Sequence, residues 1–243
     1  MKKLDFTSHI SAQFNAELER SMSKVLEMGG LTERQIRDSI KAMSQRDEAL
    51  AHAIIERDEV INELEVEINE LCIMIIAKRQ PTASDLRLLI VIIKTIAELE
   101  RIADTARNIA KMAYITPAPE HLDAITVSLE SLAIRSLNFF EKVLDAFARM
   151  DLEAVLSIYP EDDKIDSEYE NIIRQLMTYM MEDPRSIPSI LKAMNCARSL
   201  ERIGDRCQNI CEFIIYFVKG VDIRVQKNER LQELLDQRDR KAL

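Results

Sequence analysis

The chain has 243 residues, a net charge of −9 and 47% hydrophobic residues, but only 4 Gly and 6 Pro. So little turn punctuation excludes a many-stranded β protein and favours a few long helices, and the apolar fraction is enough to bury a sizeable core. The acidic balance, 5% aromatics and absence of Trp argue against a general nucleic-acid binder, which needs cations for phosphates and aromatic platforms for bases.

In chain order, helices are expected over 8–46, 48–79 and 83–115, then over 120–149, 152–182 and 186–219. Gly29-Gly30 lies inside the first, followed by Thr32 and Gln35 at capping-box spacing, which predicts a bend or restart there. Pro81, Pro117, Pro119 and Pro184 fall at the expected connections. Ser84-Asp85 and Ser186 are candidate N-caps. Pro160 lies well inside the fifth helix, directly before Glu161, Asp162 and Asp163, and predicts a kink or break that distorts that acidic group. The highly charged tail, 221–243, is expected to fray.

The chain repeats itself. Residues 99–109 read LERIADTARNI and residues 200–210 read LERIGDRCQNI, identical at seven of eleven positions with an offset of 101. Farther upstream, Asp47 aligns with Asp151, Ile54 with Ile158, Asp58 with Asp162, Ile61 with Ile165, Asn62 with Asp166 and Ile68 with Ile172, at an offset of 104. The offsets differ by three residues, which places an indel in the turn, KRQPTASD (78–85) against EDPRS (182–186). Short connections make neighbouring helices antiparallel. The fold class is therefore all-α: two pseudo-symmetric antiparallel three-helix bundles from an internal repeat. The expected domains are 1–117, 118–220 and the charged tail 221–243.

Each copy of the motif carries Glu, Asp and Asn four residues apart: Glu100, Asp104, Asn108 and Glu201, Asp205, Asn209. A step of four on a helix turns by only ~40° and rises ~6 Å, so each triplet is one polar stripe. Leu99, Ile102, Ile109, Leu200, Ile203 and Ile210 fill core positions around the same turns. The middle helices offer Asp58/Asn62 and Asp162/Asp166. Where those faces meet, several carboxylate oxygens converge, a donor set suited to hard or borderline divalent cations and to iron. An ordinary solvated face accounts equally well for Glu and Asp at this spacing, since Arg101 and Arg202 sit beside each Glu.

Catalytic machinery is not expected. The histidines are His9, His52 and His121, none in the Glu-x-x-His pairing of di-metal bundle enzymes. No phosphate-cradling loop, nucleophile elbow or HExxH is present. Cys72, Cys196, Cys207 and Cys211 read as reduced thiols of a cytoplasmic protein at core positions. The methionines likewise read as core filler. No apolar run approaches the ~20 residues needed to span a bilayer; Leu88–Ile93 and Phe213–Val218 are of core-helix length. Peripheral membrane association stays open.

The doubled LERIxD…N motif closing each half resembles the PhoU family of phosphate-transport accessory proteins. FNAELE (14–19), AKRQPTASDLRL (77–88), DAFARMD (145–151), RQLMTYMMEDPR (174–185) and ERIGDRCQNICEFI (201–214) are similar to its enterobacterial-type members, and the resemblance covers about residues 8–220. It implies a pair of pseudo-symmetric three-helix bundles. It also implies divalent metal or iron clusters at Glu100, Asp104, Glu201 and Asp205, with Asp58 and Asp162 as helpers. Ala103 departs from the family's Gly, which the second copy keeps as Gly204, so the first site is expected to be the poorer one. The resemblance further implies a cytoplasmic, homodimeric, non-catalytic negative regulator of the phosphate regulon and of phosphate uptake. Its expected partners are the ATPase subunit of the phosphate ABC transporter and the phosphate sensor histidine kinase. A metal-dependent carboxylate-cluster enzyme is the alternative. Partner contacts are expected on bundle faces and at corners such as Ala148-Arg149-Met150, where an ordinary helix connection is an equal explanation.

Overall fold

The computed structural model describes residues 12–114 and 122–223. Within them, every regular element is a helix. The first half contains α1 (Ala12–Gln45), α2 (Glu48–Arg79) and α3 (Ala83–Ala110), followed by a 3-10 turn (Lys111–Tyr114). The second contains α4 (Leu122–Arg149), α5 (Leu152–Ile158), α6 (Glu161–Glu182) and α7 (Ile187–Lys219), with a 3-10 turn at Pro184–Ser186. In each half three helical segments pack on one another, α1–α2–α3 in the first and α4–α6–α7 in the second. The halves then join through equivalent helices, α1 on α4 and α3 on α7. Four helices thus form the middle of the molecule, with α2 flanking one side and α5–α6 the other. One apolar core runs through both halves, from Leu18, Met28 and Ile36 on α1 to Phe139, Phe140 and Phe147 on α4 and Ile214 on α7.

The repeat extends to the turns. Arg46 and Met150, 104 residues apart, both adopt the left-handed conformation, at φ 54° and 46°. The next residue in each case, Asp47 or Asp151, donates its backbone N–H to the carbonyl five residues back (Ala42 or Ala146, 3.0 Å each). Both Asp side chains then cap the following helix. Asp47 Oδ1 accepts from Leu50 N–H at 2.9 Å, and Asp151 Oδ1 from Glu153 and Ala154 N–H at 3.1 Å. The Ala148-Arg149-Met150 corner is such a turn, with the Met150 side chain buried. Asp47→Ala and Asp151→Ala should each lower stability by about 1 kcal/mol in urea titrations, the usual cost of a lost N-cap.

Several expectations need correction. α1 runs unbroken through Gly29-Gly30. Gly29 is there for packing, because a Cβ on it would collide with the Leu144 side chain of α4. Thr32 is no N-cap; its hydroxyl donates to the Met28 carbonyl inside the helix at 2.9 Å. The N-cap of α3 is Thr82, not Ser84-Asp85, and its hydroxyl donates to Asp85 at 3.2 Å. Asp183 caps the 3-10 turn, and Ser186 does take the N-cap position of α7, though without a side-chain cap bond. Methionine is not all core filler, since Met74, Met177 and Met181 are exposed. Pro117, Pro119, the beginning of the first helix and residues 224–243 of the tail lie outside the described residues.

Pro160 does break the fifth helix. It lacks an N–H to continue the ladder, and it separates α5 from α6 with φ −72° and ψ −2°. The break does not displace the acidic residues. Glu161, Asp162 and Asp163 form the first turn of α6, where negative charge complements the helix N-terminus. Tyr159 pins the break to α7 by donating to Glu212 Oε1 at 2.9 Å, with both side chains buried.

Candidate functional site

The two acidic stripes occupy equivalent places, one where α2 meets α3 and the other where α6 meets α7. Their chemistry differs. In the first, Asp58 on α2 is 3% exposed. Its Oδ1 accepts from Gln35 Nε2 of α1 at 2.7 Å, and the same amide donates to the Ala103 carbonyl at 3.1 Å. Its Oδ2 is paired with Arg107 Nη1 of α3. The Arg107 guanidinium reaches on to Asp104 Oδ1 at 2.7 Å. One arginine therefore ties two of the sequence-selected acids together. Glu100 lies beside them, half-buried. Burial pushes its carboxyl above the usual range, and the charges of Asp104, Glu65 and Asp58 push the same way. Glu65 itself is raised by burial. It belongs to this cluster, whereas Asn62, the residue chosen from the repeat, is exposed.

In the second stripe Asp162 is 4% exposed and lies against α7 at its glycine. A Cβ on Gly204 would sit 2.8 Å from Asp162 Oδ1 and 3.2 Å from Ile165 Cδ1. The close approach expected of this glycine is therefore real in the second half. In the first, Ala103 is accommodated at 1% exposure, and Asp58 turns to Gln35 and Arg107. Glu201 is raised above the usual range by burial first, then by Asp205 and Asp166, against the opposing pull of Arg198 and Arg202. At the position of Arg107 this half has Gln208, and at that of Gln35 it has Phe139.

Glu201 is accordingly disfavoured as a folded-state anion. Its folded pKa lies above its unfolded value, so ionisation destabilises the fold above the ordinary Glu pKa and has no effect well below it. Glu201→Gln should raise the melting temperature at pH 7, with a gain that shrinks toward zero as the pH falls to about 4. A gain that persists unchanged at low pH would show that charge is not the cause.

The third stripe residues do not join the acids. Asn108 accepts from Lys111 Nζ at 3.0 Å. Asn209 Nδ2 donates to Glu98 Oε1 at 3.4 Å across the α3–α7 contact. Glu98, 5% exposed, also receives Arg101 at 3.3 Å and Arg206 at 3.2 Å. Lys94 lies 5.5 Å from the Phe213 and Tyr216 ring centroids at the same interface. Sequence reading missed Glu98. The signal was a lone Glu in the apolar run IIKTIAEL, on the side opposite Glu100.

The cysteines are all free and buried. Burial pushes the Cys72 and Cys196 thiols up to about 12, and it raises Cys207 and Cys211 as well. Burial disfavours the thiolate, the form that reacts as a nucleophile. Among the described residues, no group of three or more His, Cys, Asp or Glu side chains is disposed to hold a metal ion. In the first half the misfit has a visible cause: two carboxylates that a metal would need are held by Arg107. No helix among the described residues is long and apolar enough to cross a membrane.

Comparison with known proteins places this arrangement. The PhoU domain model matches residues 25–113 and 129–214, one copy in each half. The chain is 56% identical over 241 residues to the phosphate-specific transport system accessory protein PhoU of Serratia marcescens, covering 99% of each chain. It is 56% identical over 239 residues to the protein of that name from Escherichia coli (strain K12), covering 98% of this chain and 99% of the relative. The crystal structure of PhoU from Pseudomonas aeruginosa matches with TM-score 0.80 and 42% identity, over 86% of this chain and 100% of that one. The phosphate transport system regulatory protein PhoU from Streptococcus pneumoniae matches with TM-score 0.78 and 28% identity, over 88% and 100%. With the doubled domain, the full-length identity and the shared fold in agreement, the chain belongs to the PhoU family.

Proposed function

We propose that this chain is a cytoplasmic, non-catalytic negative regulator of phosphate uptake and of phosphate-responsive gene expression. It acts as an adaptor between the ATPase subunit of a phosphate-specific ABC transporter and a sensor histidine kinase, and it works as a homodimer. The observation that carries the reading is the 56% identity, over nearly the whole chain, to phosphate-specific transport system accessory proteins. The Streptococcus pneumoniae neighbour's description as a regulatory protein supports it. The helical body, with an apolar core that runs through both halves, suits a scaffold. Metal is part of this proposal at the second stripe, on Glu201 and Asp205 with Asp162, where no arginine stands in the Arg107 position, and its binding would need these side chains to turn toward one another, since the described ones form no ready-made ligand group.

Two experiments test this. A pull-down with the full chain as bait, from cells grown in high and low phosphate, should recover the transporter ATPase and the kinase. Recovery of neither would contradict the adaptor role. Glu201→Ala with Asp205→Ala should strip bound metal from the purified protein by elemental analysis, and unchanged content would contradict the metal assignment.

A further inference from the structure

We propose that Arg107 is the resident cation of the first acidic stripe and that it excludes a divalent metal ion from that half of the molecule. Both oxygens of buried Asp58 are engaged, Oδ1 by Gln35 and Oδ2 by Arg107, and the second arm of the guanidinium holds Asp104 at 2.7 Å. A guanidinium is charged at every accessible pH and its fork fits two carboxylates at once. A metal ion entering here would have to displace that fork and leave the partly buried arginine without a partner, a loss larger than a surface charge would suffer. Glu100 and Glu65 remain at the rim, half-buried. In the second half the counterpart positions are Gln208 and Phe139, which carry no charge. Two copies of one motif have therefore solved the same electrostatic problem differently. The proposal stands on the first half alone, independently of whether the second stripe takes metal.

The test is Mn2+ binding to the full chain, by equilibrium dialysis and loss of the free-ion EPR signal, in an E201Q/D205N background that disables the second stripe. That background should bind no Mn2+ at the first stripe. Adding R107Q, which copies the residue of the second half, should create a site, and further addition of E100Q/D104N should abolish it. Mn2+ binding in the background protein that E100Q/D104N removes would overturn the proposal, as would a folded R107Q protein that gains none. Should R107Q fail to fold, the comparison with and without E100Q/D104N still decides. If the unaltered chain binds no Mn2+ at Glu201 and Asp205, the metal part of the proposed function fails while this proposal is untouched.

Discussion

Arg107→Ala lowers the unfolding free energy by about 3 kcal/mol, at the low end for breaking a buried pair because the guanidinium edge reaches solvent. The loss arises from what remains. Asp58, 3% exposed, keeps one donor, Gln35, but loses its cation. The link from α2 through Arg107 to α3 goes with it. Urea unfolding followed by circular dichroism measures the change, and a double-mutant cycle identifies its source. In an Asp58→Asn background no buried charge is stranded, so the cost of removing Arg107 should fall by more than half. Equal costs in the two backgrounds would show that Arg107 acts through packing of its stem rather than through Asp58.

Gly204→Val is expected to cost about 3 kcal/mol, the upper part of the usual range for overpacking a core. The first added carbon would already lie 2.8 Å from Asp162 Oδ1 and 3.2–3.3 Å from the Ile165 side chain. Neither neighbour can move freely, since both are buried under α7. The γ-methyls of Val add to that conflict. Ala103→Gly at the equivalent position runs the other way. It relieves no clash and costs only the helix-interior penalty of glycine, about 1 kcal/mol. Thermal melts of the two variants separate these effects, and a Gly204→Val protein as stable as the parent would contradict the close approach of α6 and α7.

The repeat made most of the fold legible. Aligning Asp47 with Asp151 and Glu100 with Glu201 placed the helices of both halves and the turns between them. It also paired the residues that cap α2 and α5, although their capping role was visible only in the structure. What failed was local punctuation read without its neighbours. Gly29-Gly30 looked like a hinge because glycine weakens a helix, but the missing Cβ makes room for Leu144 of a helix more than 100 residues away. Thr32 and Gln35 had capping-box spacing, but Gln35 is committed to Asp58 and Ala103. No spacing rule reveals such long-range partners.

The candidate acids were legible as a set, and their environments were not. All six lie in the two expected places. The sequence showed Arg107 only as one of several charges on α3, and its selection of Asp58 and Asp104 depends on how α2 packs. Position 107 against 208 was the available clue, Arg in one copy and Gln in the other. The departure at Ala103 led to an expectation of helix separation in the first half; what is found there is Arg107 paired with Asp58 and Asp104.

The central claim is that this chain represses the response to phosphate scarcity when phosphate is ample. The most direct measurement is alkaline phosphatase activity in phosphate-rich medium after deletion of the gene. The account predicts a rise to starvation-like activity, reversed by restoring the unaltered gene. Activity that stays at the repressed level in the deletion strain would contradict it.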